Sequence, residues 1–230
     1  MIASSLSEDV TLAFQGLYGK DLIGALAESY PGQVAVTSSF GAESAVLLDM
    51  VAEVDPALPV LTVETGCLFA ETRNYRDRLV RHLGLTDLRI LTPEPAQLAF
   101  RDPDKSLWWT DPDACCQLRK VEPMSWASRG FKVLIDGRKR IHGDSRSDIA
   151  SVSLWGVLIK AAPLAGFSEA DIERAFVERN LPRHPLVGAG YRSIGCEPCT
   201  SPVALGEPVR SGRWAGKAKT ECGLHKSPWF

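Results

Sequence analysis

The sequence predicts an α/β fold: a mostly parallel sheet with flanking helices, followed by a looped C-terminal tail. Two observations carry this reading. Short β-branched runs alternate with helical stretches between residues 33 and 137, the pattern of strand–helix–strand units. From Leu181 onward Pro and Gly become frequent, which reads as a looped region rather than a second domain with its own core.

The elements follow in order. The first 30 residues read as helical, with Leu12, Phe14, Leu17, Leu22, Leu26 and Ala27 at roughly helical spacing and Pro31-Gly32 as the stop. Gln33 to Ser38 is a buried strand, broken by Phe40-Gly41. Ala42 to Val54 places Ala45, Leu48 and Val51 on one helical face. Pro59 to Glu64 is a second strand, ended by Thr65-Gly66. Glu71 to Leu83 is a helix with a charged outer side, and Leu88 to Leu91 a third strand. A helix is expected from Ala114 to Ser128 with Asp113 as its N-cap. Lys132 to Ile135 is a fourth strand, ending at Asp136-Gly137. Ser168-Glu169-Ala170-Asp171 opens one more helix. Ligands of such sheets sit beyond the carboxyl ends of the strands, so Ser38 to Gly41, Glu64 to Gly66 and Asp136 to Arg138 are candidate binding segments.

Composition narrows the function. The 230 residues suffice for one domain with a functional tail, here residues 1–230 with a flexible tail from about residue 205 to 230. Net charge is −2, so no overall basic field points to nucleic acid. Arg138, Lys139, Arg140 and Arg146 nevertheless cluster, as do Arg210, Arg213, Lys217 and Lys219, which permits local anion binding. No apolar run approaches the ~20 residues of a membrane span, and the N-terminus lacks the pattern of a secretory signal. A cytoplasmic location is expected. There, grouped cysteines are more often metal-binding or catalytic than disulfide-bonded.

The six cysteines divide by context. Cys115 and Cys116 are adjacent, and Cys196-Glu-Pro-Cys199 is a C-x-x-C far downstream. Neighbouring helical residues point about 100° apart, so a vicinal pair rarely chelates one small ion. A cubane cluster offers separate iron corners that a vicinal pair plus a C-x-x-C can reach. On spacing alone a cluster, a zinc ion and buried apolar thiols all stay open. Lys120 lies four residues after Cys116, on the same helical face. Cys222 sits in Glu221-Cys-Gly-Leu-His225, where His225, Lys217 and Lys219 favour its reactive thiolate; a plain surface thiol is the competing reading. Cys67 has no partner motif and reads as a packing residue.

With these motifs in view the chain resembles the assimilatory sulfonucleotide reductases, over nearly its whole length. The match runs from Ser38-Ser-Phe-Gly41 through Glu64-Thr-Gly-Cys-Leu-Phe-Ala-Glu-Thr72 and Cys115-Cys-Gln-Leu-Arg-Lys-Val-Glu-Pro123. It continues through Gly190-Tyr-Arg-Ser-Ile-Gly-Cys-Glu-Pro-Cys-Thr200 and Gly212-Arg-Trp214 to Glu221-Cys-Gly-Leu-His225. The resemblance implies an adenine nucleotide α-hydrolase-like fold and thioredoxin-dependent reduction of an activated sulfate to sulfite. The four cysteines look like those of the adenylyl-sulfate (APS) branch, which carries one [4Fe–4S] cluster on them. The phosphoadenylyl-sulfate (PAPS) branch generally lacks them, and a PAPS reductase on the same scaffold is the alternative. The sequence ends soon after the Cys222 motif, so a separate thioredoxin or glutaredoxin is implied as reductant. A homo-oligomer stays open.

The resemblance also implies roles. The Cys222 thiolate attacks the substrate sulfur, AMP leaves, and an S-sulfocysteine remains for a reductant thiol to resolve. Lys120, Arg210, Arg213 and His225 are the cations placed to offset charge on sulfate and phosphate. Ser38, Ser39 and Gly41 present hydroxyls and N–H groups to phosphate at a helix N-terminus. Gly66, Leu68 and Gly137 line the nucleotide pocket, with Arg138 in the basic loop beside it. The chain departs from the family at two places. Glu64 stands where Asp is usual, and the stretch Arg138 to Arg146 keeps the basic character of an Arg-Arg-x-x-Gln-Ser loop but not its spacing or its Gln.

Other classes fit less well. ATP pyrophosphatases of the tRNA-thiolation kind carry Ser-Gly-Gly-x-Asp-Ser, whereas this chain has Ser38-Ser-Phe-Gly-Ala-Glu-Ser44. A cluster-based redox sensor would have no need of Cys222.

Overall fold

The computed structural model describes residues 10–143 and 146–225. The first nine residues of the expected N-terminal helix and the last five of the tail lie outside the described residues. So do two residues of the basic loop.

Six strands form one sheet: β1 (Val34–Thr37), β2 (Val60–Val63), β3 (Leu88–Leu91), β4 (Val133–Ile135), β5 (Val152–Trp155) and β6 (Leu158–Ala161). Their order is β3-β2-β1-β4-β6-β5. All neighbours run parallel except β5 and β6, which form an antiparallel hairpin at the edge. Order reverses at β1, so the crevice beyond β1 and β4 is where such a sheet takes a ligand. The first four strands match the sequence expectation. The hairpin was not expected: its turn is the single pair Gly156-Val157, with Gly156 at φ +63, a conformation that favours glycine.

Strand residues alternate between two faces. Val34, Val36, Val60, Val133, Ile135 and Ala161 face the larger core with α1 (Gly19–Ser29), α2 (Ser44–Val54) and α3 (Ala70–Leu83). Ala35, Leu61, Leu134 and Leu158 face a smaller one with Met124 of α7 (Glu122–Ser128). Parallel strands buried on both faces explain the continuous apolar runs. Two short helices, α4 (Pro95–Arg101) and α5 (Leu107–Thr110), lie in the link after β3.

The helix expected at Ala114 to Ser128 begins earlier and is not uniform. It runs as α6 (Pro112–Cys116), one π-helical stretch (Gln117–Val121) and α7. Its N-cap is Asp111, whose Oδ1 accepts from the Ala114 amide at 2.9 Å, not Asp113. Pro112 explains the shift, because proline is favoured at the first helical position. The wide turn follows the cysteine pair directly and carries Lys120, and such turns are frequent at functional sites. At α8 (Glu169–Glu178), Ser168 caps the helix in a reciprocal box with Asp171, as expected.

From Leu181 the described residues form two short 3₁₀ turns, Pro185–Ala189 and Glu197–Cys199, and otherwise irregular chain. The described part of the tail lies against the body and buries Trp214, Lys219 and Glu221.

Candidate active site

Two cavities meet at the carboxyl ends of the strands. The larger is walled by the ends of β1 and β4 and roofed by the tail. Ser38, Ser39, Gly41, Leu68, Gly137, Arg138, Lys120, Arg210, Arg213, Cys222 and His225 all line it. Thus eleven of the twelve residues expected at the substrate or catalytic site reach one cavity. Gly66 lies beside the wall, its amide donating to Glu64 Oε1 at 2.9 Å.

The smaller cavity is lined by Cys115, Cys116, Cys196 and Cys199 together with Cys67, Arg119 and Trp108. The helical pair and the 3₁₀ turn therefore bring all four expected ligands to one space. Cys67 joins them there half-buried, rather than as the packing residue the sequence suggested. Among the described residues no three His, Cys, Asp or Glu side chains gather tightly enough for a single metal ion. Burial pushes the Cys115 and Cys116 thiols up to about 12 and about 11. Burial acts the same way on Cys196, but the Lys120 ammonium and the Thr65 hydroxyl, 3.3 Å from its sulfur, bring that thiol below its ordinary value.

Lys120 lines both cavities. Burial opposes its charge, yet the fields of Cys196, Cys222 and Cys116 hold it firmly protonated. Arg213 also stands between the two. Its Nε donates to the Cys199 carbonyl at 3.4 Å, and its guanidinium lies 4.5 Å from the Trp214 ring centroid. It rests directly over Gly195, where any Cβ would collide with it.

The tail is held by charge. Arg146 grips the Glu221 carboxylate at 2.5 and 3.1 Å, with Arg210 3.5 Å away. Burial opposes ionisation of Glu221, but the two guanidinium groups hold its carboxyl down at about 2. Arg210 also donates to the Thr220 carbonyl at 2.6 Å; burial and the neighbouring Arg146 lower it to about 10. Lys219 pairs with Asp113. Gly223 takes φ +89 between Cys222 and Leu224, which lets the chain turn over the cavity.

The opposite end of the cavity carries less free charge. The Ser38 hydroxyl accepts from the Phe40 amide at 3.2 Å. Glu43, just before α2, pairs with Lys139 at 2.8 Å and His142 at 3.2 Å. Burial opposes it, yet these partners hold its carboxyl down at about 2. Arg138 is drawn onto Asp136 at 2.8 Å. Glu64, the family departure, uses its extra methylene to bond Gly66 and grip Arg73 at 2.9 Å.

Sequence reasoning passed over Lys160. It is 4% exposed and lines the cavity from β6. A lysine between Ile159 and Ala161 in an apolar run was its visible signal, because lysine is almost never buried without a partner.

Comparison with known proteins bears on the whole arrangement. Residues 33–202 match the family model of the phosphoadenosine phosphosulfate reductase domain. A protein named adenosine 5′-phosphosulfate reductase from Chelativorans sp. (strain BNC1) is 50% identical over 195 residues, covering 84% of this chain and 79% of that protein. One of the same name from Mycobacteroides abscessus is 34% identical over 229 residues, covering 97% and 94%. Among solved structures, the phosphoadenylyl-sulfate reductase of Candida auris superposes with a TM-score of 0.71 at 23% identity, covering 85% of this chain and 95% of that one. The FMN adenylyltransferase of Candida glabrata does so with 0.53 at 14% identity, covering 74% and 56%. These two likenesses concern the fold alone.

Proposed function

This chain belongs to the phosphoadenosine phosphosulfate reductase domain family, on its APS-reducing branch, and we propose that its larger cavity reduces adenylyl sulfate to sulfite and AMP with Cys222 as the nucleophile. It is an oxidoreductase acting on a sulfur group, on an adenine nucleotide α-hydrolase-like fold. The observation that carries the mechanism is the convergence of Cys222 with Lys120, Arg210 and Arg213 at one end of a single cavity.

The Cys222 thiolate forms a bond to the sulfonate sulfur. The bond from that sulfur to the bridging phosphate oxygen breaks, and its electron pair leaves on AMP. Lys120, Arg210 and Arg213 offset the charge that develops on both fragments. A thiolate of the reductant then attacks the Cys222 sulfur and releases sulfite. The second reductant thiol resolves the mixed disulfide and frees Cys222. Thioredoxin or glutaredoxin supplies both electrons as an external dithiol. Ser39, Leu68 and Gly137 border the nucleoside end.

Cys115, Cys116, Cys196 and Cys199 would hold one [4Fe–4S] cluster, which their thiol-only donor set on one cavity wall fits. When bound, the cluster supplies a concentrated charge beside Lys120 and ties the helical pair to the 3₁₀ turn. The lysine bridges this region to Cys222. No helix among the described residues is long and apolar enough to cross a membrane. A cytoplasmic setting accords with free thiols at both cavities.

The test is an assay of anaerobically purified protein with APS and with PAPS, each with reduced thioredoxin, alongside iron and acid-labile sulfide analysis. Preference for APS with a cluster-bearing protein is expected. Clear preference for PAPS, or full activity in iron-free protein, contradicts the reading.

A further inference from the structure

Lys160 stands on the same face of β6 as Leu158, toward the smaller core. Asp136 follows Leu134 on that face of the neighbouring strand. Lys160 Nζ donates to the Leu224 carbonyl at 2.9 Å and reaches His225 Nδ1 at 3.3 Å. It also lies 3.5 Å from the Trp155 ring centroid. The Leu224 side chain packs against the apolar cluster of Ala35, Leu61, Leu134 and Leu158. Leu224 thus anchors the tail twice, by its side chain in the core and by its carbonyl on a buried ammonium, and His225 adds a third contact. These anchors fall two and three residues after Cys222.

We propose that Lys160 is a positioning residue: the buried post on which the Leu224-His225 turn docks, fixing Cys222 at the cavity. A buried amine is costly unless paired and hydrogen-bonded. Here Asp136 and the carbonyl end of the turn meet that need, so the docked tail and the charged lysine stabilise each other. Among the described residues, the charged and titratable groups facing Lys160 include Asp136, Arg138, Glu221, Cys222 and His225. Burial, with Arg138 adding to it and Asp136 opposing it, lowers Lys160 to about 8. Burial lowers His225 to about 3, so it stands neutral here rather than as the cation expected from the sequence, with its Nδ1 3.3 Å from Lys160 Nζ and 3.8 Å from Asp136. Placement of a nucleophile matters because small displacements cost rate: roughly 10²-fold for about 1 Å.

The kinetic part rests on reading Cys222 as the nucleophile; the docking part does not. The experiment reads both in Lys160→Met and Lys160→Arg proteins with the cluster in place. Hydrogen exchange of the 218–225 peptide and tryptic cleavage after Lys217 and Lys219 should quicken by ~10-fold or more in Lys160→Met. Its kcat for APS should fall roughly 10²-fold with KM changed only a few-fold. Lys160→Arg, which keeps the charge and donors, should restore part of both. If Lys160→Met does not fold, Leu224→Ala releases the same turn and should give the same pattern. Exchange and cleavage at wild-type rates would overturn the proposal. So would faster exchange with unchanged kcat, and so would a rise in KM that accounts for the whole loss. If no variant or parent reduces APS, the docking result stands alone and the fault lies with the activity assigned above.

Discussion

Single residues decide where charge rests in this protein. Arg213 is the clearest case, because its guanidinium lies over the bare α-carbon of Gly195. The obstacle created by a methyl there would be the far end of a flexible side chain, which moves before the backbone does. Gly195→Ala should therefore displace Arg213 with little loss of thermal stability. It should lower kcat/KM for APS by about 10-fold, measured beside a thermal melt. Most residues of the two cavities were legible from their motifs, since Cys115-Cys116, Cys196-Glu-Pro-Cys199 and Glu221-Cys-Gly-Leu-His225 are long and unusual. Lys160 was not. A lone lysine in an apolar run carries no spacing signal, and only the pairing of β6 with β4 brings it beside Asp136. Arg146 and Glu221 stood in view as charges, but their pairing across 75 residues of chain depends on the tail's path.

At the scale of elements, capping and turn chemistry explain both agreement and disagreement. Ser168 and Asp171 form the expected reciprocal box on α8, with Ser168 Oγ accepting from the Asp171 amide at 3.2 Å. Ser168→Ala should cost ~1 kcal/mol of stability in a denaturant titration, with activity retained. β1, β2 and β4 were readable because parallel strands buried on both faces are apolar throughout, whereas β3, an edge strand with Arg89 and Ile90 exposed, was readable only as a short run with apolar ends. The β5–β6 hairpin escaped because Trp155-Gly156-Val157 lacks the usual hairpin dipeptides. The helix carrying the cysteine pair was readable in extent but not in form. No periodicity rule foresees the π-helical stretch from Gln117 to Val121, which sets the direction of Lys120.

At the scale of the whole molecule, one buried and one partly buried histidine link stability to pH. His184 is 1% exposed; its Nδ1 accepts from the Leu186 amide at 3.2 Å, and its Nε2 lies 3.0 Å from Thr72 Oγ1. Burial lowers it to about 4, and His225 to about 3. The unfolded chain binds protons at both below its ordinary 6.5, while the folded chain does not. Stability is therefore full above that value and falls as pH drops from it toward 4 and 3. Glu221 adds to the loss below 4.5, where the unfolded carboxyl protonates and the folded one stays ionised down to about 2. The melting temperature should decline from pH 7 to 5, and His184→Gln should flatten that slope.

The same whole-molecule view sets the central claim, that the fold brings the tail cysteine to a substrate held by cations at the strand ends. Incubating the protein with APS in the absence of any thiol reductant, then mapping its peptides by mass spectrometry, tests this most directly. The account predicts one sulfonate group on Cys222, formed together with AMP and discharged as sulfite when thioredoxin is added. A sulfonate on another cysteine, or AMP release with Cys222 unmodified, would contradict it.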